Sequence, residues 1–328
     1  MENIPKFEKP AKILVVQIGK LGDMILTTPL FRNLKRLYPD SKLTVLASER
    51  NSEIAQYHPA VDKVLVYKKS SLKTFQLLFY LKSHTFDIWI DPKKEKSKTS
   101  TFLLKYAKPG LSIGFNHDEP KPLFDIDLTP IQSGNHAVDI NLSPLNAIDQ
   151  GFTADSRLPD MGIPEIINNR ISNRFMNTQG RKVFINLSAG MPARMWGTDN
   201  WLELLSKIEV NNGYNLIVNT HGADSTELNE MKNKLSNKIQ WLDNLTPLEL
   251  AAVIKNSDVV ISPDTAAIHM ASAFNIPVID LMNNVDWNIE RFAPLSEKQM
   301  ILVSAETNSL KTLTPDSVYR AFEEKINS

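Results

Sequence analysis

The amino-acid sequence predicts an α/β fold made of two doubly wound, Rossmann-like parallel-sheet domains. Short continuous runs of apolar, often β-branched residues, such as Ile-Leu-Val-Val at 13–16, are typical of parallel strands buried on both faces. Stretches with apolar residues at helical spacing alternate with these runs, and this order favours parallel sheets joined by crossover helices. A length of 328 residues also suits two cores better than one.

The alternation runs through both halves of the chain. The predicted strands lie at 13–16, 43–47, 64–67, 88–91 and 112–115, then at 183–187, 216–219, 259–262, 278–281 and 300–303. One continuous helix is predicted from the apolar spacing between Met24 and Leu37. Further helices are predicted around 54, 75–81, 102–106 and 136–150 in the first half and at 200–208, 227–235, 247–255, 265–274 and 315–326 in the second. A segment punctuated by prolines divides the two halves. The predicted domains are therefore 1–157 and 171–328, with a linker at 158–170.

Composition excludes several classes of protein. Thirty-seven basic residues balance thirty-seven acidic ones, so no overall field attracts nucleic acid, and no nucleic-acid partner is expected. The chain has no Cys, which rules out disulfides, thiolate metal sites and a Cys nucleophile. The amino terminus lacks the apolar core of a secretory signal, and no apolar run approaches the length of a membrane span. We expect a cytoplasmic protein that is soluble or at most peripheral to a membrane.

The loop after the first strand is the first candidate for a binding site. It reads Gln17-Ile18-Gly19-Lys20-Leu21-Gly22-Asp23, and it leaves the carboxyl edge of the sheet, where open α/β sheets bind their ligands. Its glycine spacing matches neither the dinucleotide-binding motif nor the phosphate-binding P-loop. The residues that it offers to a ligand are Lys20, Gly22 and Asp23. The alternative role of Asp23 is that of a helix N-cap.

Two stretches in the second half are candidates for binding phosphate. Asp264-Thr265-Ala266-Ala267 leads from a buried strand into a helix of small residues, whose free N–H groups and dipole favour an anion. His269 follows one turn later. The loop 187–197 follows another strand, and its Ser188 and Arg194 can face a diphosphate while Trp196 anchors the next helix. The alternatives are a capping role for Asp264 or Thr265, a core His269 and a solvated Arg194.

Taken together, these stretches resemble glycosyltransferase family 9, which includes the ADP-heptose:lipopolysaccharide heptosyltransferases. The resemblance runs from Ala11 to about Val303. It is carried by Leu21-Gly22-Asp23 with Thr27-Thr28-Pro29, by Arg194-Met195-Trp196-Gly197 in place of Lys-x-Trp-Pro, and by the run from Asp264 to Ala273 in place of Asp-[ST]-Gly-x-x-His-[LM]-Ala-[AS]-Ala.

The resemblance implies a GT-B fold with an acceptor lobe and a nucleotide-sugar lobe facing across a cleft, and inverting transfer without an obligatory metal or other cofactor. It makes Asp23 the general base, and it places Arg194, Asp264, Thr265, Ala266 and His269 in the donor pocket. Leu245 matches a position near the nucleotide base. This sequence departs from the family pattern at Arg194, where Lys is usual, at Ala266, where Gly is usual, and at Gln17, where many members have Arg.

The expected donor is a nucleotide sugar, with ADP-heptose first, and the expected acceptor is a glycolipid or glycan of the lipopolysaccharide core, with phosphate groups in some cases. Residues 63–108 contain eleven Lys and three acids, so this part of the acceptor lobe carries +8 while the rest of the chain carries −8. That charge suits a phosphorylated glycolipid or the anionic inner membrane, although a solvated lysine-rich face gives the same pattern. The alternatives are a related transferase with another donor or acceptor, a non-catalytic nucleotide-sugar binding protein and, last, a dehydrogenase.

Overall fold

The chain forms two compact units that divide between Gly162 and Ile163. The structure is a computed structural model, and it describes residues 10–117, 121–176, 179–210, 213–221 and 224–327. The division lies within the segment 158–170 that was predicted as a linker. Residues 158–162 belong to unit 1 (1–162), and the first helix of unit 2 (163–328) begins at Glu165.

Unit 1 is a six-stranded parallel sheet in the order β3-β2-β1-β4-β5-β6. Its strands are β1 (Lys12–Gln17), β2 (Lys42–Ser48), β3 (Lys63–Tyr67), β4 (Ile88–Ile90), β5 (Leu111–Gly114) and β6 (Ile126–Asp127). Its helices are α1 (Leu21–Ile25), α2 (Thr28–Leu37), α3 (Ser52–Gln56), α4 (Ser71–Ser83), α5 (Lys98–Ala107) and α6 (Ala137–Ile148). The strand order reverses between β1 and β4, which makes the loop after β1 a topological switch point.

Unit 2 repeats this architecture with the strand order β12-β11-β10-β7-β8-β9. Its strands are β7 (Arg181–Asn186), β8 (Tyr214–Asn219), β9 (Gln240–Leu242), β10 (Val259–Pro263), β11 (Val278–Met282) and β12 (Gln299–Val303). Its helices are α7 (Glu165–Ile171), which continues into a π-helical turn (Ser172–Met176), α8 (Thr198–Glu209), α9 (Ser225–Lys234), α10 (Pro247–Lys255), α11 (Ala266–Ala273), α12 (Asp286–Phe292) and α13 (Pro315–Ile326). The two parallel sheets confirm the predicted α/β, doubly wound fold class.

The central strands are buried, while the edge strands β3 and β12 are only partly buried. Residues 13–15 of β1 and 259–261 of β10 are fully buried, as their continuous apolar sequence predicts. In unit 2, Trp196 is buried against Trp201, with ring centroids 4.6 Å apart, and its indole N–H donates to the carbonyl oxygen of Leu313 at 2.8 Å. The predicted packing role of Trp196 is thereby confirmed.

The single helix predicted between Met24 and Leu37 is wrong, because the chain forms α1 and α2 with a break between them. The cause is Pro29, which has no N–H to continue the helical bonding and instead occupies the first turn of α2. The Thr28 hydroxyl donates to the Ile25 carbonyl oxygen at 2.7 Å, which Pro29 leaves without its usual helical donor. The short strands β6 and β9 and the helices α7 and α12 were not predicted either.

Within the described residues, no helix is both long enough and apolar enough to cross a membrane.

Candidate functional site

The carboxylate of Asp23 lies on the switch-point loop of unit 1. Lys20 is the N-cap residue of α1, and Asp23 is the third helical residue, so Asp23 is not the N-cap itself but caps the start of α1 from that position. Its Oδ2 accepts a hydrogen bond from the Lys20 backbone N–H at 3.0 Å. Asp23 is partly exposed and Lys20 is exposed, while Gly22 lies inside α1. This arrangement fixes the carboxylate at the carboxyl end of β1 and leaves it accessible.

The loop has no room for a side chain at Gly19. A Cβ there would lie 2.5 Å from Asp23 Oδ2 and 2.8 Å from Gln17 Oε1, both closer than real Cβ atoms approach. Gln17 is buried, and its Nε2 donates to the Thr27 hydroxyl at 2.8 Å. The buried Asn51 side chain donates to the carbonyl oxygen of Gln17 at 3.0 Å. Asn51 was not predicted to take part, because it reaches the loop only through the fold, and Thr27 was named in the family motif without a role.

In unit 2, Thr265 and Asn186 organise the start of α11. Thr265 is the N-cap residue, and its Oγ1 accepts from the Ala267 N–H at 3.3 Å, so this amide is already engaged. The Asn186 amide nitrogen lies 2.9 Å from the Ser188 carbonyl oxygen, 3.1 Å from Ser262 Oγ and 3.2 Å from Thr265 Oγ1. Asn186 therefore ties the loop after β7 to the start of α11. Sequence inspection missed it because a strand-terminal Asn carries no distinctive local pattern.

Arg194 is held by groups of its own unit rather than solvated as a surface charge. Its Nη2 lies 2.9 Å from Asp264 Oδ2 and 2.9 Å from Asn288 Oδ1, and its Nη1 donates to the Asp264 carbonyl oxygen at 3.0 Å. Asn288, buried in α12, also donates to Asp264 Oδ2 at 2.7 Å. The Arg194 side chain is 22% exposed and that of Asp264 only 4%. The planar fork of an arginine suits this network better than the point charge of a lysine.

A second buried carboxyl group, Asp280 on β11, lies near this network. Burial raises its pKa well above the usual value for an aspartate, and the neighbouring Asp264 raises it further. Arg194 acts in the opposite direction. Its guanidinium is thus the positive charge that pairs with the Asp264 carboxylate and also lowers the pKa of Asp280. It still has N–H groups to offer, since a guanidinium carries five.

The remaining predicted donor residues lie at the carboxyl edge of the sheet of unit 2 or are buried behind it. Ala266, the first residue of α11, is partly exposed next to Thr265, and Ser188 is partly exposed after β7. His269 is buried, with its ring 6.3 Å from that of Phe292, so it lines the interior. Leu245 follows β9, three strands from β10 and so roughly 14 Å along the edge at the usual strand spacing. An elongated ligand could reach from α11 to Leu245.

Unit 1 also contains a cavity of about 360 Å³ at the carboxyl ends of β4 and β5. Its lining includes four lysines, one histidine and two acids: Lys93, Lys96, Lys105, Lys121, His117, Asp91 and Glu95. Burial raises the pKa of Asp91 to about 6, although its hydrogen bond from Ser100 acts against this shift. Among the residues that the structure describes, no three His, Asp or Glu side chains are grouped as metal ligands.

The arrangement after Trp196 differs from the family pattern. Gly197 has φ of +93°, a backbone conformation that L-residues rarely adopt. Proline, which the family motif has at this position, fixes φ near −65° and cannot follow the same path. The chain therefore enters α8 by a turn of its own.

Comparison with known proteins relates this fold to sugar transfer. The model of the family "Glycosyltransferase family 9 (heptosyltransferase)" matches residues 75–321. The chain is 25% identical over 284 residues to lipopolysaccharide heptosyltransferase 3 of Escherichia coli, with 81% of each chain covered. A solved structure of a family 9 glycosyl transferase from Veillonella parvula DSM 2008 has a TM-score of 0.85 at 17% identity over 98% of both chains.

The structure of E. coli ADP-heptose lps heptosyltransferase II gives a TM-score of 0.78 at 18% identity, covering 96% of this chain and 98% of that one. At such low identity these two structures bear on the fold alone. The family model, in contrast, spans about three quarters of the sequence. This chain belongs to glycosyltransferase family 9 (heptosyltransferase).

Proposed function

We propose that this protein is an inverting glycosyltransferase that moves heptose from ADP-heptose to an acceptor hydroxyl of the lipopolysaccharide core. The observation that carries the proposal is an accessible carboxylate, Asp23, fixed at the switch point of a family 9 fold. Asp23 takes the proton of the acceptor hydroxyl as general base. The acceptor oxygen then bonds to the anomeric carbon, and the bond from that carbon to the diphosphate breaks on the opposite face.

The donor is assigned to unit 2. Arg194 and the start of α11 at Thr265 and Ala266 supply positive charge where the leaving diphosphate gains negative charge. These groups are expected to serve without an obligatory metal, so chelation by EDTA should leave turnover intact. Leu245 is proposed to contact the nucleotide base. Ser188, in the loop after β7, is proposed to contact the diphosphate of the donor. ADP-heptose comes first because one structural relative is named for that donor.

The acceptor is assigned to unit 1, where cationic side chains concentrate. Lys20 lies beside Asp23, and the cavity at the ends of β4 and β5 is lined by four lysines and His117. Such a surface favours an acceptor that carries phosphate or carboxylate groups, as a glycolipid or glycan of the lipopolysaccharide core would. Since that acceptor is anchored in a bilayer, we place the protein in the cytoplasm, in peripheral contact with the inner face of the inner membrane.

The experiment that tests catalysis is the substitution Asp23→Asn. An Asn oxygen can still accept from the Lys20 N–H, so the loop and the fold should persist. An amide cannot take the acceptor proton, and turnover should fall by about 10²–10⁴-fold. Donor affinity, measured by calorimetry, should be unchanged because the donor is assigned to unit 2.

A thermal-shift screen of ADP-, GDP-, UDP- and TDP-sugars identifies the donor, because a ligand stabilises the state that binds it. A folded Asp23→Asn protein that binds donor and retains more than about a tenth of wild-type turnover would refute the base assignment. Stabilisation by a different nucleotide sugar would instead favour a family 9 transferase of another specificity. Stabilisation without turnover on any acceptor would favour a nucleotide-sugar binding protein.

A further inference from the structure

Two neighbouring helices of unit 1 expose an unusual number of large apolar side chains. On α4, Leu72, Phe75 and Phe79 are 65%, 67% and 70% exposed. On α5, Phe102 and Tyr106 are 44% and 48% exposed, with ring centroids 5.0 Å apart. We call these five residues the α4–α5 face. Isolated exposed apolar residues are common, but a contiguous group indicates an interaction surface.

The geometry of the two helices turns these side chains to one side of unit 1. Positions 72, 75 and 79 follow helical spacing, as do positions 102 and 106. The opposite sides of the same helices, at Leu77, Leu81 and the residues 103–104, are buried in one core cluster over the sheet. Because α4 and α5 pack side by side on that cluster, their outer sides face the solvent together.

Lysines dominate the charge around the α4–α5 face, although the exposed Glu95 lies three residues before α5. Neither helix contains an Asp or Glu. The exposed lysines on and next to the two helices are Lys69, Lys73, Lys82, Lys98, Lys105 and Lys108. Apolar and aromatic side chains flanked by lysines are the composition that binds at the interface of an anionic bilayer, where rings enter the headgroup boundary and lysines contact the phosphates.

We infer that the α4–α5 face docks this protein on an anionic phospholipid surface, with Phe75 and Phe79 inserted at the headgroup boundary. This inference deepens the proposed transfer to a membrane-anchored acceptor and rests on it for its purpose. The binding itself requires neither donor nor acceptor. A second copy of the chain is less suited to this face, because pairing two such surfaces would bring lysines of the same charge together.

The test is co-sedimentation of the full chain with vesicles of phosphatidylcholine, with and without about a third of phosphatidylglycerol. The wild type should bind the anionic vesicles, and binding should fall as salt rises, since exposed charges are screened over about 8 Å at physiological ionic strength. Phe75→Ser and Phe79→Ser should each weaken binding about tenfold, as expected for the loss of a partly inserted ring. Lys82→Glu and Lys98→Glu, at exposed positions outside the cavity lining, should each weaken it about fivefold or more.

Matched controls come from unit 2, where Val210 and Trp287 are 81% and 63% exposed. Val210→Ser and Trp287→Ser should bind vesicles as the wild type does. Because the substituted phenylalanines are exposed, the variants should keep the wild-type thermal midpoint. Turnover on a water-soluble, deacylated acceptor should also be unchanged in Phe75→Ser/Phe79→Ser, so a failure of docking is separable from a failure of the transferase proposal.

Two results would overturn the inference. One is a Phe75→Ser/Phe79→Ser protein that sediments with anionic vesicles as well as the wild type. The other is a wild type that does not bind vesicles but is a dimer by light scattering, while the Phe75→Ser/Phe79→Ser protein is a monomer. That result would assign the face to self-association.

Discussion

Removing the guanidinium of Arg194 should destabilise unit 2 before any effect on donor binding is considered. The Asp264 side chain is 4% exposed and pairs with Arg194 at 2.9 Å, and the buried Asp280 adds a second acid. Deleting one partner of a buried pair typically costs 3–5 kcal/mol, because the other charge remains without compensation. Arg194 is itself 22% exposed, so the lower end, about 3 kcal/mol, is expected for Arg194→Ala.

The assay is urea and thermal unfolding of Arg194→Ala beside the wild type. For a unit of this size, about 3 kcal/mol corresponds to a drop of roughly 6–12 °C in thermal midpoint. Arg194 lowers the pKa of Asp280, so removing Arg194 raises that pKa further. The part of the deficit that an ionised Asp280 causes should therefore be lost as the pH falls through the raised pKa. The double variant Arg194→Ala/Asp264→Asn should recover part of the unfolding free energy lost in Arg194→Ala, because the introduced asparagine carries no charge that needs a partner.

Donor binding is measured on the same variants. Arg194→Ala should weaken ADP about tenfold or more, the usual effect of losing a charge-assisted contact to phosphate. Arg194→Lys keeps the charge but loses the planar guanidinium, so both its stability and its ADP affinity should lie between those of the wild type and Arg194→Ala. A change in unfolding free energy below about 0.5 kcal/mol, with no rescue by Asp264→Asn, would refute the compensation argument.

Two further predictions follow from unusual local environments. Burial raises the folded-state pKa of Asp91 to about 6, so its charged form opposes folding, and this penalty is absent below about pH 4 and complete above about pH 6. The free energy of unfolding of Asp91→Asn should therefore rise relative to that of the wild type by up to about 3 kcal/mol as the pH rises through that window. Urea unfolding at several pH values checks this, and a difference between the two proteins that does not change with pH would contradict it. Gly197→Ala should lose about 1–2 kcal/mol because φ there is +93°, while Gly190→Ala, with no atom within 4 Å of the added Cβ, should stay within about 0.5 kcal/mol. Equal thermal midpoints for the two glycine variants would show that the turn relaxes without cost.

The sequence alone determined the architecture and the edge at which ligands should bind. Continuous apolar runs such as those of β1 and β10 must be buried on both faces, and in alternation with helices this leaves little choice but a doubly wound sheet. The same order places Asp23 and Thr265 directly after strands, where ligands of such sheets bind. Both conclusions depend on near neighbours in the chain, which the sequence displays.

Only the tertiary structure decided how the candidate residues are held. Arg194 meets Asp264 and Asn288 across 70 and 94 positions of sequence, and Asn288 lies on a helix that was not predicted. The hydrogen bond from the Asn51 side chain to the Gln17 carbonyl oxygen, across 34 positions of sequence, likewise forms only after folding. The break before α2, in contrast, follows from Pro29, which the sequence displays. A sequence pattern shows which residues must be buried and where the chain can turn. It does not show which distant group will meet a buried charge, because that partner is set by the packing of the whole unit.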